Sequence, residues 1–165
     1  MGKPALLLSS AALASLAPAD LLTKLVKTPI KGAELPAGFS KPKIARQPLT
    51  ANGRKYHAVG QVAVLVQGPD TEDAFAWEAF KTHANAVADL DHPVLTTRTK
   101  IVDTVPGYKE SLLLAGTLSG KKVYDAVTVV DNVLVQGVTV STRGNRAGAI
   151  ALLRAAVKHL QRIRS

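Results

Sequence analysis

The stretch YKESLLLAGTLSGKKVYDAVTVVDNVLVQGVTVST, residues 108–142, decides the fold. Two dipeptides cut it, Ser119-Gly120 and Asp131-Asn132, both of residues that accept the positive φ of a tight reversal. The ribbons they separate run from Tyr108 to Leu118, Lys121 to Val130 and Val133 to Thr142, and are rich in valine and leucine. Such side chains suit a pleated surface. Apolar residues fall at both parities: Leu112, Leu113 and Leu114; Val127, Val129 and Val130; Val133, Leu134 and Val135. A sheet with one wet face would alternate apolar and polar. The stretch therefore predicts antiparallel strands covered on both faces, at least in their middle.

Working outward, Val94 to Val105 joins this set through Pro106-Gly107 and completes a four-strand meander. Further upstream, Ile44 to Thr50 and Arg54 to Gln67 flank Asn52-Gly53, a strong hairpin signal. Between hairpin and meander the pattern changes. Asp70 or Thr71 can cap a helix, Glu72 and Asp73 suit its positive first turn, and Trp77, Phe80, Ala84 and Val87 recur at helical spacing. This predicts a central helix to about Leu90, closed by His92-Pro93.

At the C-terminal end Asn145 caps a helix with Ile150, Leu153, Val157, Leu160 and Ile163 on one side and Arg154, Lys158, Gln161 and Arg162 outside. Asp20 opens a short helix, Leu21 to Lys27, stopped by Thr28-Pro29. A connector rich in proline and glycine follows, containing Leu35-Pro36-Ala37-Gly38-Phe39. The expected fold class is α+β, in the order α-ββ-α-ββββ-α. An antiparallel sheet of about six strands, hairpin plus meander, is packed by the central helix and the C-terminal helix. Residues 20–165 form one domain.

Composition agrees. A chain of 165 residues, 47% hydrophobic and 20% charged, can take roughly 70% of its unfolded surface out of water. Aromatics are only 4%, so the core is aliphatic. Cysteine is absent, which excludes disulfides, thiolate metal sites and cysteine nucleophiles. The net charge of +9 is uneven. Nine Lys/Arg in residues 1–55 face only Asp20 and Glu34, and residues 143–165 carry six Lys/Arg and no acid. Such ends favour polyanions as partners: nucleic acid, anionic lipid or wall polymer.

Met1-Gly-Lys-Pro precedes a run of Ala, Leu and Ser from Ala5 to Ala17, and Ala17-Pro18-Ala19 follows the A-x-A pattern. Residues 1–19 read as a signal peptide or, alternatively, an N-terminal helix. The expected address is exported or cell-surface, with cytoplasmic as the alternative.

The Leu35-to-Phe39 connector, the hairpin, the central amphipathic helix, the valine-rich meander and the terminal Ala/Leu helix together resemble small exported or lipoprotein-type domains of actinobacteria. These are similar to the PsbP-like fold group and to extracellular sensor domains of some receptor kinases. The resemblance is one of element order. It implies a non-enzymatic binding or accessory role and carries no functional residue across.

Catalytic motifs are wanting. His57, His83, His92 and His159 are scattered, and no H-E-x-x-H, G-x-S-x-G or P-loop occurs. His92 behind Asp89 and Asp91 is a candidate for helix-end solvation more than for a metal. Ser40 to Lys43 and Ser119 to Lys122 fit Ser-x-x-Lys without its partner motifs. The loop Val140-Ser-Thr-Arg-Gly-Asn-Arg-Ala-Gly148 leads into a helix whose first amides, flanked by Arg143 and Arg146, suit an anion. A dinucleotide fold is excluded by the seventeen residues that remain after Gly148.

The expected function is thus an exported, non-enzymatic binding or accessory domain, without cofactor or metal, for an unidentified small ligand or protein. Its candidate site is an apolar crevice at Phe39, Trp77 and Phe80. The alternative is a basic polyanion-binding surface through Arg143, Asn145, Arg146, Arg154, Lys158 and Arg162. Self-association through a sheet edge is also open.

Overall fold

The computed structural model describes residues 19–46, 58–68, 75–83, 99–130 and 133–164. Helix α1 (Ala19–Lys27) and a 3-10 turn (Gly32–Glu34) lead into strands β1 (Ser40–Arg46) and β2 (Ala58–Gln67). Strands β3 (Phe75–His83), β4 (Thr99–Asp103), β5 (Ser111–Leu118), β6 (Lys121–Val130) and β7 (Val133–Ser141) follow, and helix α2 (Arg146–Arg164) completes the order. The strands make one antiparallel sheet, β1-β2-β3-β7-β6-β5-β4. This is an α+β fold, as the sequence predicts.

One element differs. Residues 75–83, expected inside the central helix, are strand β3, and the sheet has seven strands where about six were expected. Trp77 pairs with Leu65 on β2 and Val138 on β7; Phe80 pairs with Val62 and Val135. The segment FAWEAFKTH carries both periods at once. Its Ala, Glu and Lys favour a helix, while Phe75, Trp77 and Ala79 alternate with Glu78 and Thr82 as a strand would. Tertiary pairing decides: as the bridge between β2 and β7, the segment satisfies its backbone on both sides and makes one sheet of the hairpin and the meander. The rest of that expected helix, residues 70–74 and 84–90, lies outside the described residues, as do the turns Asn52-Gly53 and Asp131-Asn132 and the capping pair His92-Pro93.

Every residue of β7 is buried, so both parities of the central strand are covered. On one face Val133 and Val135 join Val62, Val64 and Val66 of β2 beneath Leu25 of α1, Ile30, Phe39 and Leu152, Leu153 and Leu160 of α2. On the other face Leu114, Val127 and Leu134 form one cluster, and Ala63, Val138 and Val140 another. The β5–β6 reversal is the expected two-residue turn, with φ +50° at Ser119 and +79° at Gly120. The buried stripe of α2 runs through Leu152, Leu153, Ala156 and Leu160, leaving Ile150 and Ile163 at its margins.

Two devices hold α2 in place. At Gly137 on β7, an added Cβ would strike the Ala149 carbonyl oxygen and the Leu153 amide nitrogen. The helix backbone therefore rests directly on the strand, which only glycine permits. At its C-terminal half α2 grips the N-terminal arm. His159, 1% exposed, places Nδ1 2.9 Å from Glu34 Oε1 and Nε2 2.8 Å from the Thr28 carbonyl oxygen. The Arg162 guanidinium also approaches Nδ1, at 3.3 Å. Arg162 adds its guanidinium to Glu34 Oε1 at 2.6 Å, and the Lys31 amide donates to Oε2 at 2.8 Å.

Burial opposes ionisation of Glu34, yet the His159 and Lys31 hydrogen bonds and the His159 and Arg162 charges outweigh it, and its carboxyl lies below the ordinary 4.5. A carboxyl lowered in the folded state binds its proton more readily when unfolded. Its stabilising contribution is complete above the ordinary value and vanishes as pH falls through the lowered one. Acid titration should therefore destabilise the protein below about pH 4.5, and Glu34→Gln should flatten that acid limb of a Tm-against-pH curve. An unchanged limb would show that Glu34 takes no part.

Candidate functional site

Three neighbouring rungs of the sheet build a surface groove of about 400 Å³. Thr99, Gly116 and Val123 form one rung, Lys100, Ala115 and Tyr124 the next, and Thr117 pairs with Lys122 in the third. On one face of these rungs stand two lysines, Lys100 and Lys122, and two hydroxyl residues, Thr117 and Tyr124, with Ala115 between them; Thr99, Gly116 and Val123 fall on the intervening rung of opposite parity. Among the described residues no carboxylate lines the groove. Both lysines are exposed, and Tyr124 is half-buried.

The loop before α2 lies against this groove. Gly144 has φ +83°, and a Cβ there would come 3.0 Å from the Tyr124 ring and 3.1 Å from Lys122 Cδ. A side chain is excluded by both conformation and space, and the loop packs down on the two groove residues. That packing brings exposed Arg143, one residue away, to the groove's border. Ser141, the cross-strand partner of Lys122, has a buried hydroxyl with no hydrogen-bond partner. Such groups are uncommon in folded proteins.

Asn145 fixes where the helix begins. Its Oδ1 accepts from the Gly148 amide at 2.8 Å, and its backbone carbonyl accepts from Thr139 Oγ1 at 2.7 Å. The Asn145 side chain occupies the space a Cβ on Gly148 would need, so Gly148 serves the cap. Arg146 donates to Asp103 Oδ2 at 2.7 Å, tying α2 to the end of β4. The Thr104 amide and this guanidinium hold the Asp103 carboxyl below the usual range.

The six residues expected to form one anionic site are therefore divided. Arg143 and Asn145 stand beside the groove, and Arg146 is engaged by Asp103. Arg154 donates to the Pro106 carbonyl at 3.1 Å, and Arg162 meets Glu34. Lys158 is exposed next to the buried His159. Several of these cations are structural ties as well as surface charge.

The residues of the expected apolar crevice come from the connector and from β3. Phe39 is 8% exposed within the main core. Trp77 and Phe80 lie on β3, on the rungs of Leu65 and Val138 and of Val62 and Val135. Of the histidines, His159 is the buried tie described above, His83 ends β3, and His57 and His92 lie outside the described residues. Among the described residues no three of His, Asp and Glu converge as a metal site.

No family model matches the chain, and no curated protein matches it. Among solved structures it is similar to the extracellular domain of PknH from Mycobacterium tuberculosis, with 12% identity over 92% of this chain and 93% of that one, at a TM-score of 0.46. No residue role passes across so distant a likeness.

Proposed function

We propose that this chain is an exported, non-catalytic binding domain that holds an anionic ligand in the groove between β4, β5 and β6. One observation supports the reading: Lys100, Lys122, Thr117 and Tyr124 lie on alternate rungs of one sheet face, in a groove without a carboxylate among the described residues and bordered by the Arg143–Gly144 loop. Ammonium groups beside hydroxyl donors suit phosphate, sulfate or carboxylate oxygens. The apolar part of the lining provides contact for the body of the ligand. Export is supported by the Ala5-to-Ala17 run and its A-x-A ending.

The test is a thermal-shift screen of phosphorylated, sulfated and carboxylated small molecules. A ligand at a hundred times its Kd stabilises by about 2.7 kcal/mol, a rise of roughly 5–11 °C for a chain of this size. The expected result is such a rise with at least one anion class, greatly reduced in Lys100→Ala and Lys122→Ala. Equal shifts in both variants, or none with any anion, would defeat the assignment.

The polyanion alternative retains one supporting observation. Lys158 and Arg143 project from α2 and its leading loop with large exposure. The ties of Arg146, Arg154 and Arg162 make that helix a poorer continuous stripe than the sequence suggests.

A further inference from the structure

The clasp at His159 has a consequence at the surface. In the sequence the basic segments lie at opposite ends of the chain, Lys24, Lys27 and Lys31 in one and Lys158 and Arg162 in the other. In the fold they meet. The Thr28 carbonyl, one residue beyond Lys27, accepts from His159, one residue beyond Lys158. The Lys31 amide and the Arg162 guanidinium bind the two oxygens of one carboxylate, Glu34. Lys24, Lys27, Lys31 and Lys158 are exposed around this knot. Glu34, the acid that the described residues place within the knot, is largely enclosed and already paired.

We infer that this face, built jointly by the end of α1, the connector and the C-terminal half of α2, docks on an anionic lipid surface. It is separate from the groove, whose lysines belong to β4 and β6. Charge complementarity selects an anionic partner. The cations stand on three elements around a packed junction rather than along a channel, and the exposed lysines of this face have no stacking aromatic interleaved. A single-stranded nucleic acid would want both.

Vesicle co-sedimentation of the full chain tests this, comparing phosphatidylcholine vesicles with vesicles that also contain phosphatidylglycerol. The full chain should prefer the anionic vesicles, and the preference should fall steeply as salt rises from about 50 to about 200 mM. Each lysine removed should weaken it about fivefold, so that K24Q/K27Q/K31Q loses on the order of a hundredfold and binds both vesicles alike. These side chains are exposed, and an unchanged melting curve verifies that the variant folds. K158Q, on the other element, should weaken the preference in the same direction. Equal binding to neutral and anionic vesicles by the parent, or a preference that survives the triple substitution, overturns the inference. So does tight heparin binding, lost in the triple variant, without a vesicle preference; that result would assign the face to a soluble polyanion.

Discussion

Gly137→Ala is expected to destabilise the protein by about 3 kcal/mol, lowering Tm by roughly 6–12 °C. In most strands that replacement is harmless or helpful, because alanine restricts the unfolded chain. Here the new methyl meets the backbone of α2 at Ala149 and Leu153, with Leu152 Cβ 3.0 Å away. Backbone cannot rotate aside as a side chain can, so α2 must lift from β7 and loosen the contacts of Leu152, Leu153 and Leu160, all fully buried. Gly32→Ala is the control. Nothing lies within 4 Å of a Cβ at that position, and its stability should stay within about 0.5 kcal/mol of the parent. Chemical denaturation of the two variants distinguishes the cases. A Gly137→Ala protein as stable as Gly32→Ala would mean that α2 does not rest on β7.

His159→Phe should cost a similar amount, about 3 kcal/mol, by another route. The substitution keeps an aromatic ring in the buried space but removes both ring nitrogens. The Thr28 carbonyl loses its donor, and Glu34 keeps only the Lys31 amide and the Arg162 guanidinium. The damage should be local. Hydrogen exchange should accelerate most in residues 28–34, which this cluster ties to α2 beside the apolar contacts of Ile30, while the amides of β5, β6 and β7 stay protected. Uniform loss of protection, or none, would contradict the clasp.

The sequence was most legible where local and global signals agree. Ribbons β5, β6 and β7 have valine-rich runs separated by turn dipeptides, and α2 has a periodic face and Asn145 as its cap, so their reading needed no distant contact. β3 was misread because FAWEAFKTH satisfies two periods, and the deciding fact, pairing to β2 and β7 at once, is non-local. The same bridge explains why the strand order could not be read. β3 and β7 are separated by about fifty residues of sequence and lie side by side in the sheet.

The candidate site was still less visible. Lys100, Thr117 and Lys122 make no motif; the rungs of β4, β5 and β6 assemble them. The Arg143–Asn145 loop was recognised as a place for an anion, but its contact with Tyr124 and Lys122 depends on Gly144 meeting β6. His159 reads as one solitary histidine among four. A signal for it existed: it falls within the buried stripe of α2, and Glu34 is a rare acid within a basic arm. A buried imidazole and an isolated carboxylate in a basic context suggest a pair, though only the fold shows that they meet.

Backbone amide NMR during titration with the best-stabilising anion tests the central claim most directly. Shifts concentrated at residues 99–100, 115–117, 122–124 and 141–146, saturating together, are the predicted result. Shifts scattered over the exposed lysines of α1 and α2 without saturation, with residues 115–117 unmoved, would contradict a ligand groove at this edge of the sheet.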